Sequence, residues 1–342
     1  MRLRIPSSAW LRATTSWVVG AAALMAMSAA WAGGVLAAAE ARQWLTRMHD
    51  AATQRNYQGT LVVTAEGAMS SSRVVHFCEA GHSYERVDML DGQPRRVLRH
   101  DDQLLTLWPS VRTARLEQRE SAQPFPSLLS GGEDQLFERY EMVGEGAGRV
   151  AGFDAAVFLL RPRDDSRFAQ RLWAERGSGL LLRADVVGID GRVLESSAFT
   201  DLSIGGKLRP ESLNTVLKQI GGWRLLKPAT QRTSLEAQGW RLKAPVPGFR
   251  ESNCVKRQLD PAPQEASPVA EDVLQAIFTD GLTHVSLFIE PLRAERQRSG
   301  GAASGATHTW MQAHGDYWIT AVGDVPLVTL KKFVAALERS SR

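Results

Sequence analysis

The chain of 342 residues and 37.6 kDa is 44% hydrophobic and 23% charged, which excludes a globally disordered or collagen-like polypeptide. Its length corresponds to two domains at roughly 100–200 residues each. The formal net charge of +4 falls to about +1 without Arg2, Arg4 and Arg12, so bulk positive charge makes no case for nucleic-acid binding.

Residues 1–32 carry the three parts of a secretory signal peptide. Arg2, Arg4 and Arg12 form a positive start with no acid beside them, WVVGAAALMAMSAA is an apolar run, and Ala30-Trp31-Ala32 supplies small residues for cleavage between Ala32 and Gly33. Ala37-Ala38-Ala39 offers a second set of small residues. The apolar run is short for a spanning helix. No Cys follows it to accept a lipid. The export signal implies an oxidising compartment, yet Cys78 and Cys254 are too few for a disulfide scaffold, so stability must come from packed cores. Spacing leaves their pairing open; two separate thiols are the simpler expectation.

Residues 40–55 place Ala41, Leu45, Met48 and Ala52 on one helical stripe. A run of short strands follows: 57–65, 73–79, 83–90, 96–99 and 103–108. Asp91-Gly92 is a tight-hairpin signal, because Gly tolerates the positive φ such turns need. Asp101-Asp102 marks a second turn. Pro124, Pro126 and Gly131-Gly132 make a loop around Leu128-Leu129. Strands resume at 150–161, 168–175, 180–188 and 193–202, with Asp190-Gly191 as another hairpin turn. This is one helix on a long antiparallel meander. Gly205-Gly206 and Gly221-Gly222 flank a predicted helix at 211–219, and the domain boundary is expected across 207–222. The second domain, 223–342, has a turn at Val246-Pro247-Gly248-Phe249 and strands at 273–278 and 282–290 around Asp280-Gly281. SGGAASGA at 299–306 is expected to be a flexible loop with nothing to bury. A strand at 317–322 and a closing helix at 326–339, with Leu327, Leu330, Val334 and Leu337 on one face, complete the chain.

Catalytic signatures are missing. There is no G-x-S-x-G, no phosphate loop and no H-E-x-x-H. The glycines at 146–148 match a degenerate dinucleotide fingerprint, but a strand follows where a helix is required, so the stretch reads as a loop. His76 and Cys78 share a strand face, yet nothing completes a zinc set. His308 and His314 flank a turn and read as surface histidines. Turn chemistry accounts for Asp101-Asp102 and Asp164-Asp165. Arginine is dense at Arg95, Arg96 and Arg99, and again at Arg161, Arg163, Arg167 and Arg171. An acid-balanced sheet face is the plainer account; the functional one is bidentate contact with acidic headgroups or an acidic partner.

RVDMLDGQPRRVLR at 86–99, the Phe199-Thr200 strand end, Val246-Pro247-Gly248-Phe249, DGLTHVSLFIEP at 280–291 and the segment 305–326 ending in VGDVP resemble, in order, the MucB/RseB family of periplasmic sigma-factor regulators. The resemblance spans both domains. It implies an α+β fold: a LolA-like antiparallel half-barrel with covering helices at 40–206, acting as a lipid-sensing domain, plus a smaller C-terminal antiparallel sheet domain with a helix. It implies binding to the periplasmic domain of a single-span anti-sigma factor, protection of that partner from a site-one protease, release by lipopolysaccharide or another lipid, and self-association. Neither cofactor nor metal nor nucleic acid is implied. Lipid-headgroup candidates are Arg95, Arg96 and Arg99. Partner-contact candidates are His284, Ser286, Phe288 and Glu290 on one strand. The competing readings are a lipid or lipoprotein carrier of the LolA/LolB type, which would need only the half-barrel, and a periplasmic hydrolase, which the missing motifs disfavour.

Overall fold

The computed structural model describes residues 34–118, 133–206, 213–228, 230–258, 272–293 and 299–340. Ala32, Gly33 and the signal segment, and the loop around Leu128-Leu129, lie outside the described residues.

The first helix, α1 (Ala38–Gln54), buries Ala41, Leu45, Met48 and Ala52, the stripe its periodicity predicts. Glu40 in its first turn faces the positive end of the helix dipole. It stops without a glycine: Arg55 turns extended, and Asn56 ties the end down. The Asn56 side chain accepts the Cys78 N–H at 2.9 Å and donates to the Gly206 carbonyl at 3.2 Å.

Eleven strands and two short helices follow: β1 (Tyr57–Ala65), β2 (Ala68–Glu79), β3 (His82–Met89), β4 (Arg96–His100), β5 (Gln103–Trp108), β6 (Thr113–Gln118), α2 (Glu133–Arg139), β7 (Tyr140–Val150), β8 (Phe153–Pro162), β9 (Ala169–Glu175), β10 (Leu181–Val187), β11 (Val193–Ile204) and α3 (Leu213–Gln219). With β12 (Arg224–Leu226) they form a 12-stranded sheet in the order β12-β6-β5-β4-β3-β2-β1-β11-β10-β9-β8-β7. All its pairs are antiparallel except β12 on β6. Residues of β7 approach β11 although three strands separate them, so the sheet curls strongly. Gly34–Leu36 hydrogen-bonds along β7 and covers that edge.

Cross-strand partners share a face, which lets register assign the two sides. Tyr57, His76, Glu85 and Arg99 lie in one row, with Val74 and Val87 beside them on the same side. Here α1 packs on Leu61, Phe158, Leu172, Leu181 and Phe199. Leu98, Leu105, Leu107 and Ala114 lie on the opposite side, under Leu213 and Val216 of α3. The two helices therefore cover different faces at different ends of the curl.

This corrects the expected connector. Its described part, from Leu213 on, is not a free linker: α3 seals a hydrophobic cluster, Trp223 packs against that cluster, and Arg224–Leu226 adds a strand. Two other expectations change. The Asp91-Gly92 connection is a wider loop, closed by Met89 N–H to Arg95 O, because the Asp91 carboxylate is spent on the Ser71 N–H and hydroxyl. The stretch 146–150 is strand, not loop; β7 bulges between Gly144 and Gly146, and a Cβ on Gly148 would lie 3.0 Å from the Trp173 ring.

The second sheet comprises β13 (Thr230–Arg232), β15 (Arg250–Gln258), β16 (Asp272–Thr279), β17 (His284–Pro291), β20 (Tyr317–Gly323), β19 (Thr307–His314) and β18 (Gly300–Ser304), adjacent in that order and antiparallel throughout. Leu274, Ala276, Val285, Leu287, Ile319 and Ala321 point inward onto Leu330, Phe333 and Val334 of α4 (Leu327–Ala336). Here too the structure departs from expectation. The closing helix ends at Ala336, and Leu337–Arg339 becomes β21, paired with β14 (Trp240–Leu242). The SGGAASGA stretch is a hairpin, and Ala306 is buried. Small residues let this edge lie flush, since a Cβ on Gly301 would meet Leu327 at 3.1 Å.

Candidate functional site at the seam between the two sheets

The loop between β8 and β9 carries Asp164, Asp165, Ser166, Arg167 and Phe168, and the second domain packs against it. Arg167 is the largest fully buried side chain in the described residues. Its Nε donates to Asp280 Oδ2 at 2.6 Å, its Nη2 to the Pro247 carbonyl at 2.6 Å, and its Nη1 to Asp164 at 2.6 Å. The guanidinium lies 4.6 Å from the Phe249 ring centroid. Tyr140, at the start of β7, donates its hydroxyl to Asp280 Oδ2 at 2.9 Å. Oδ1 of Asp280 accepts the backbone N–H groups of Leu282 and Thr283. Every oxygen of this buried carboxylate is thus satisfied, as its burial demands. Burial, and then the Asp280 charge, push the Tyr140 phenol well above its ordinary value, so it stays a donor. Gly248 is required here: its φ is +83°, and a Cβ would lie 2.5 Å from Arg167 Nη2.

Further contacts flank this cluster. The Thr329 hydroxyl donates to the Ser166 carbonyl at 2.9 Å, and Lys332 reaches Asp165 at 3.2 Å. Leu282 packs into the apolar core beneath α1. His308 stands edge-on to Phe168, with Nδ1 2.7 Å from the Val325 carbonyl, so it is a joint between domains rather than a surface histidine. Gly305 sits on Ala65, where a Cβ would come within 2.7 Å. Glu195 accepts the Ala306 N–H; burial, and then Asp324, raise its carboxyl. An open groove of about 480 Å³ runs beside this contact, between the β1–β2 turn, Arg183 and Val193–Ser196.

The sequence-derived candidates fall elsewhere. Arg96 pairs with Asp88 at 2.5 Å, which also holds Arg86. Arg99 donates to the Asp101 carbonyl at 2.8 Å. Arg95 is exposed in the β3–β4 loop. Arg96 and Arg99 point to opposite faces of β4, so the three do not converge. Arg161 and Arg163 face Glu141, and Arg171 pairs with Glu145, which is the acid-balanced sheet face. His284, Ser286, Phe288 and Glu290 do share one face of β17, the side away from α4, with His284 exposed and the others half-buried. Cys78 and Cys254 are unpaired. The His76 ring is consumed by structure: it stacks on Tyr57, and its nitrogens meet the Arg55 carbonyl and the Ser83 hydroxyl. Sequence reasoning missed the Arg167–Asp280 pair, whose members are 113 residues apart. The available signal was that two of the family-like segments, Val246–Phe249 and the one opening at Asp280, supply its second half.

Comparison with known proteins completes the picture. The MucB/RseB N-terminal domain matches residues 40–217, and the MucB/RseB C-terminal domain matches residues 234–338. The sigma factor AlgU regulatory protein MucB of Pseudomonas aeruginosa is 28% identical over 330 residues, covering 95% of this chain and 97% of that protein. The sigma-E factor regulatory protein RseB of Haemophilus influenzae is 25% identical over 297 residues, covering 86% and 90%. A crystal structure of MucB in complex with MucA(peri) superposes with a TM-score of 0.66 at 26% identity, covering 88% of this chain and all of that one. Matched in both domains, with the family-like segments of the second gathered at its seam with the first, this chain belongs to the MucB/RseB family of sigma-factor regulatory proteins.

Proposed function

We propose that the mature protein is a periplasmic negative regulator of an envelope-stress sigma factor. It binds the periplasmic region of a membrane-anchored anti-sigma factor, protects it from regulated proteolysis and releases it in response to lipid. It acts by binding and not by catalysis. The observation that carries this reading is the likeness, through both domains, to MucB bound to MucA(peri). The export signal ending at Ala32-Gly33 supports the location. Support for lipid sensing comes from the α1 face of the first sheet, whose apolar surface continues through half-buried Val63, Val87 and Leu202. An acyl chain laid there gains about 0.8 kcal/mol per buried methylene. Arg95, at the rim of that sheet, is the headgroup contact we retain; the outer face of β17 is the partner surface. We place the domain division after Leu226 rather than across 207–222. A carrier of the LolA/LolB type has no use for a second sheet fixed by a buried ion pair.

The test is co-purification of the mature chain with the periplasmic segment of the single-span anti-sigma factor encoded in the same genome, followed by digestion of that segment by its site-one protease. The proposal expects a stable complex and slowed cleavage, both reversed by lipopolysaccharide. A segment that is cut equally fast with and without the protein would overturn it.

A further inference from the structure

One cluster of chemistry-bearing side chains lies outside the seam and outside every role assigned above. At one end of the first sheet the β2–β3 and β4–β5 turns stand side by side. His82 opens β3, His100 closes β4, and Asp101 follows in the turn. Register puts His82 and His100 on the same face of the sheet, with Glu79 opposite His82 and Gln103 opposite His100. One donor atom from each of His82, His100 and Asp101 lies within 4.8 Å of the other two.

Three features set this apart from an ordinary turn. The Asp101 carboxylate is aimed: Oδ1 accepts the Ser83 N–H at 2.9 Å, leaving Oδ2 toward both rings, 2.8 Å from His82 Nδ1 and 3.6 Å from His100 Nε2. The His100 ring is fixed by stacking on Tyr84, with centroids 4.3 Å apart and planes 12° apart. His100 Nε2 is shielded from solvent and makes no hydrogen bond, a costly state for a polar nitrogen. A tetrahedral ion bound at about 2.0–2.1 Å needs donors roughly 3.3 Å apart. The two separations from Asp101 Oδ2 bracket that value, all three donors lie within 4.8 Å, and an ion on which the two rings close gives the orphaned nitrogen a partner.

We infer that His82, His100 and Asp101 form a binding site for one divalent transition ion of the zinc type, with water completing the coordination. Two imidazoles and one carboxylate suit borderline ions such as Zn²⁺ and not Mg²⁺ or Ca²⁺. The Arg99 guanidinium, bonded to the Asp101 carbonyl, lies close enough to oppose the added positive charge, so the affinity is moderate rather than that of a closed structural site. An ion here would pin the β2–β3 hairpin to the β4–β5 hairpin.

Titration calorimetry of the mature chain with zinc chloride tests this, with magnesium chloride as control. One zinc should bind, magnesium should not, and cobalt should give the visible absorption of a tetrahedral N/O site. His100→Ala and Asp101→Asn should each weaken zinc binding by about tenfold or more, while His314→Ala on the other domain leaves it unchanged. Asp101→Asn keeps an oxygen for the Ser83 N–H, so it separates loss of a ligand from loss of the turn. Zinc should also raise the melting temperature of the wild type and not of the variants. Zinc binding that persists undiminished in the folded Asp101→Asn and His100→Ala variants, or no zinc binding by the wild type, would overturn the assignment.

Discussion

Glu85 sits mid-strand between His76 and Arg99, and burial pushes its carboxyl up to about 7 against the pull of Arg99. In the unfolded chain it titrates near 4.3. The folded value is raised, so the contribution of this group is fully present below pH 4 and is lost as pH rises through 7. Glu85→Gln removes that loss. Urea denaturation at pH 8 should show the variant more stable by an amount on the order of 3 kcal/mol, shrinking to nothing near pH 4. Equal stability of the two proteins at both pH values would refute this account of Glu85. The cysteines differ in the same physical terms. Burial, and then Glu251, push the buried Cys254 thiol up to about 12; burial, and then Asp101, raise Cys78 as well, but it is only half-buried and donates to the Thr53 carbonyl. A disulfide reagent at pH 8 should modify native protein at Cys78 alone and reach Cys254 only in denaturant. Neither environment is visible in the sequence, because the burial of Glu85 and Cys254 arises only when their sheets are paired and covered.

Among the elements, α3 decides where the first domain ends. Leu213 and Val216 close the cluster of Leu98, Leu105 and Leu107 on the face that α1 does not cover. A fragment ending at Lys227 should therefore fold and melt cooperatively, while one ending at Gly206 exposes those leucines and should melt lower or aggregate. Circular dichroism and light scattering on the two fragments measure this, and identical melts would show that α3 adds nothing. The helix itself was legible from its flanking glycines; its attachment was not, because seven residues are too few to show a face by period alone. The stripe of α1, the β16–β17 hairpin and the antiparallel meander were legible, since each rests on local pattern. Errors arose where a local pattern met a tertiary partner. Leu337 fits the helical stripe of α4, yet pairing with Leu242 draws it into a strand. The glycines of 300–305 suggest a loop, yet Gly301 and Gly305 are small enough to lie against Leu327 and Ala65 respectively.

For the whole molecule, the Arg167–Asp280 pair fixes how the two sheets sit. A buried ion pair adds little net stability over an apolar replacement, but removing one partner strands the other charge at a cost of about 3–5 kcal/mol. Arg167→Ala should thus lower the melting temperature and loosen the seam, which small-angle scattering would record as an increased radius of gyration; an unchanged profile would mean that Leu282, Thr329 and the Gly305 contact hold the arrangement alone. Such a latch is also where ligands could compete: if lipid and partner prefer different arrangements, each weakens the other by one shared factor, typically about 5–150-fold. The most direct measurement is the affinity of the mature protein for the purified periplasmic segment of its anti-sigma factor, with and without saturating lipopolysaccharide. The account predicts a specific complex whose affinity falls by about 5-fold or more when lipid is present. Absence of any complex, or an affinity that lipid leaves unchanged, would contradict it.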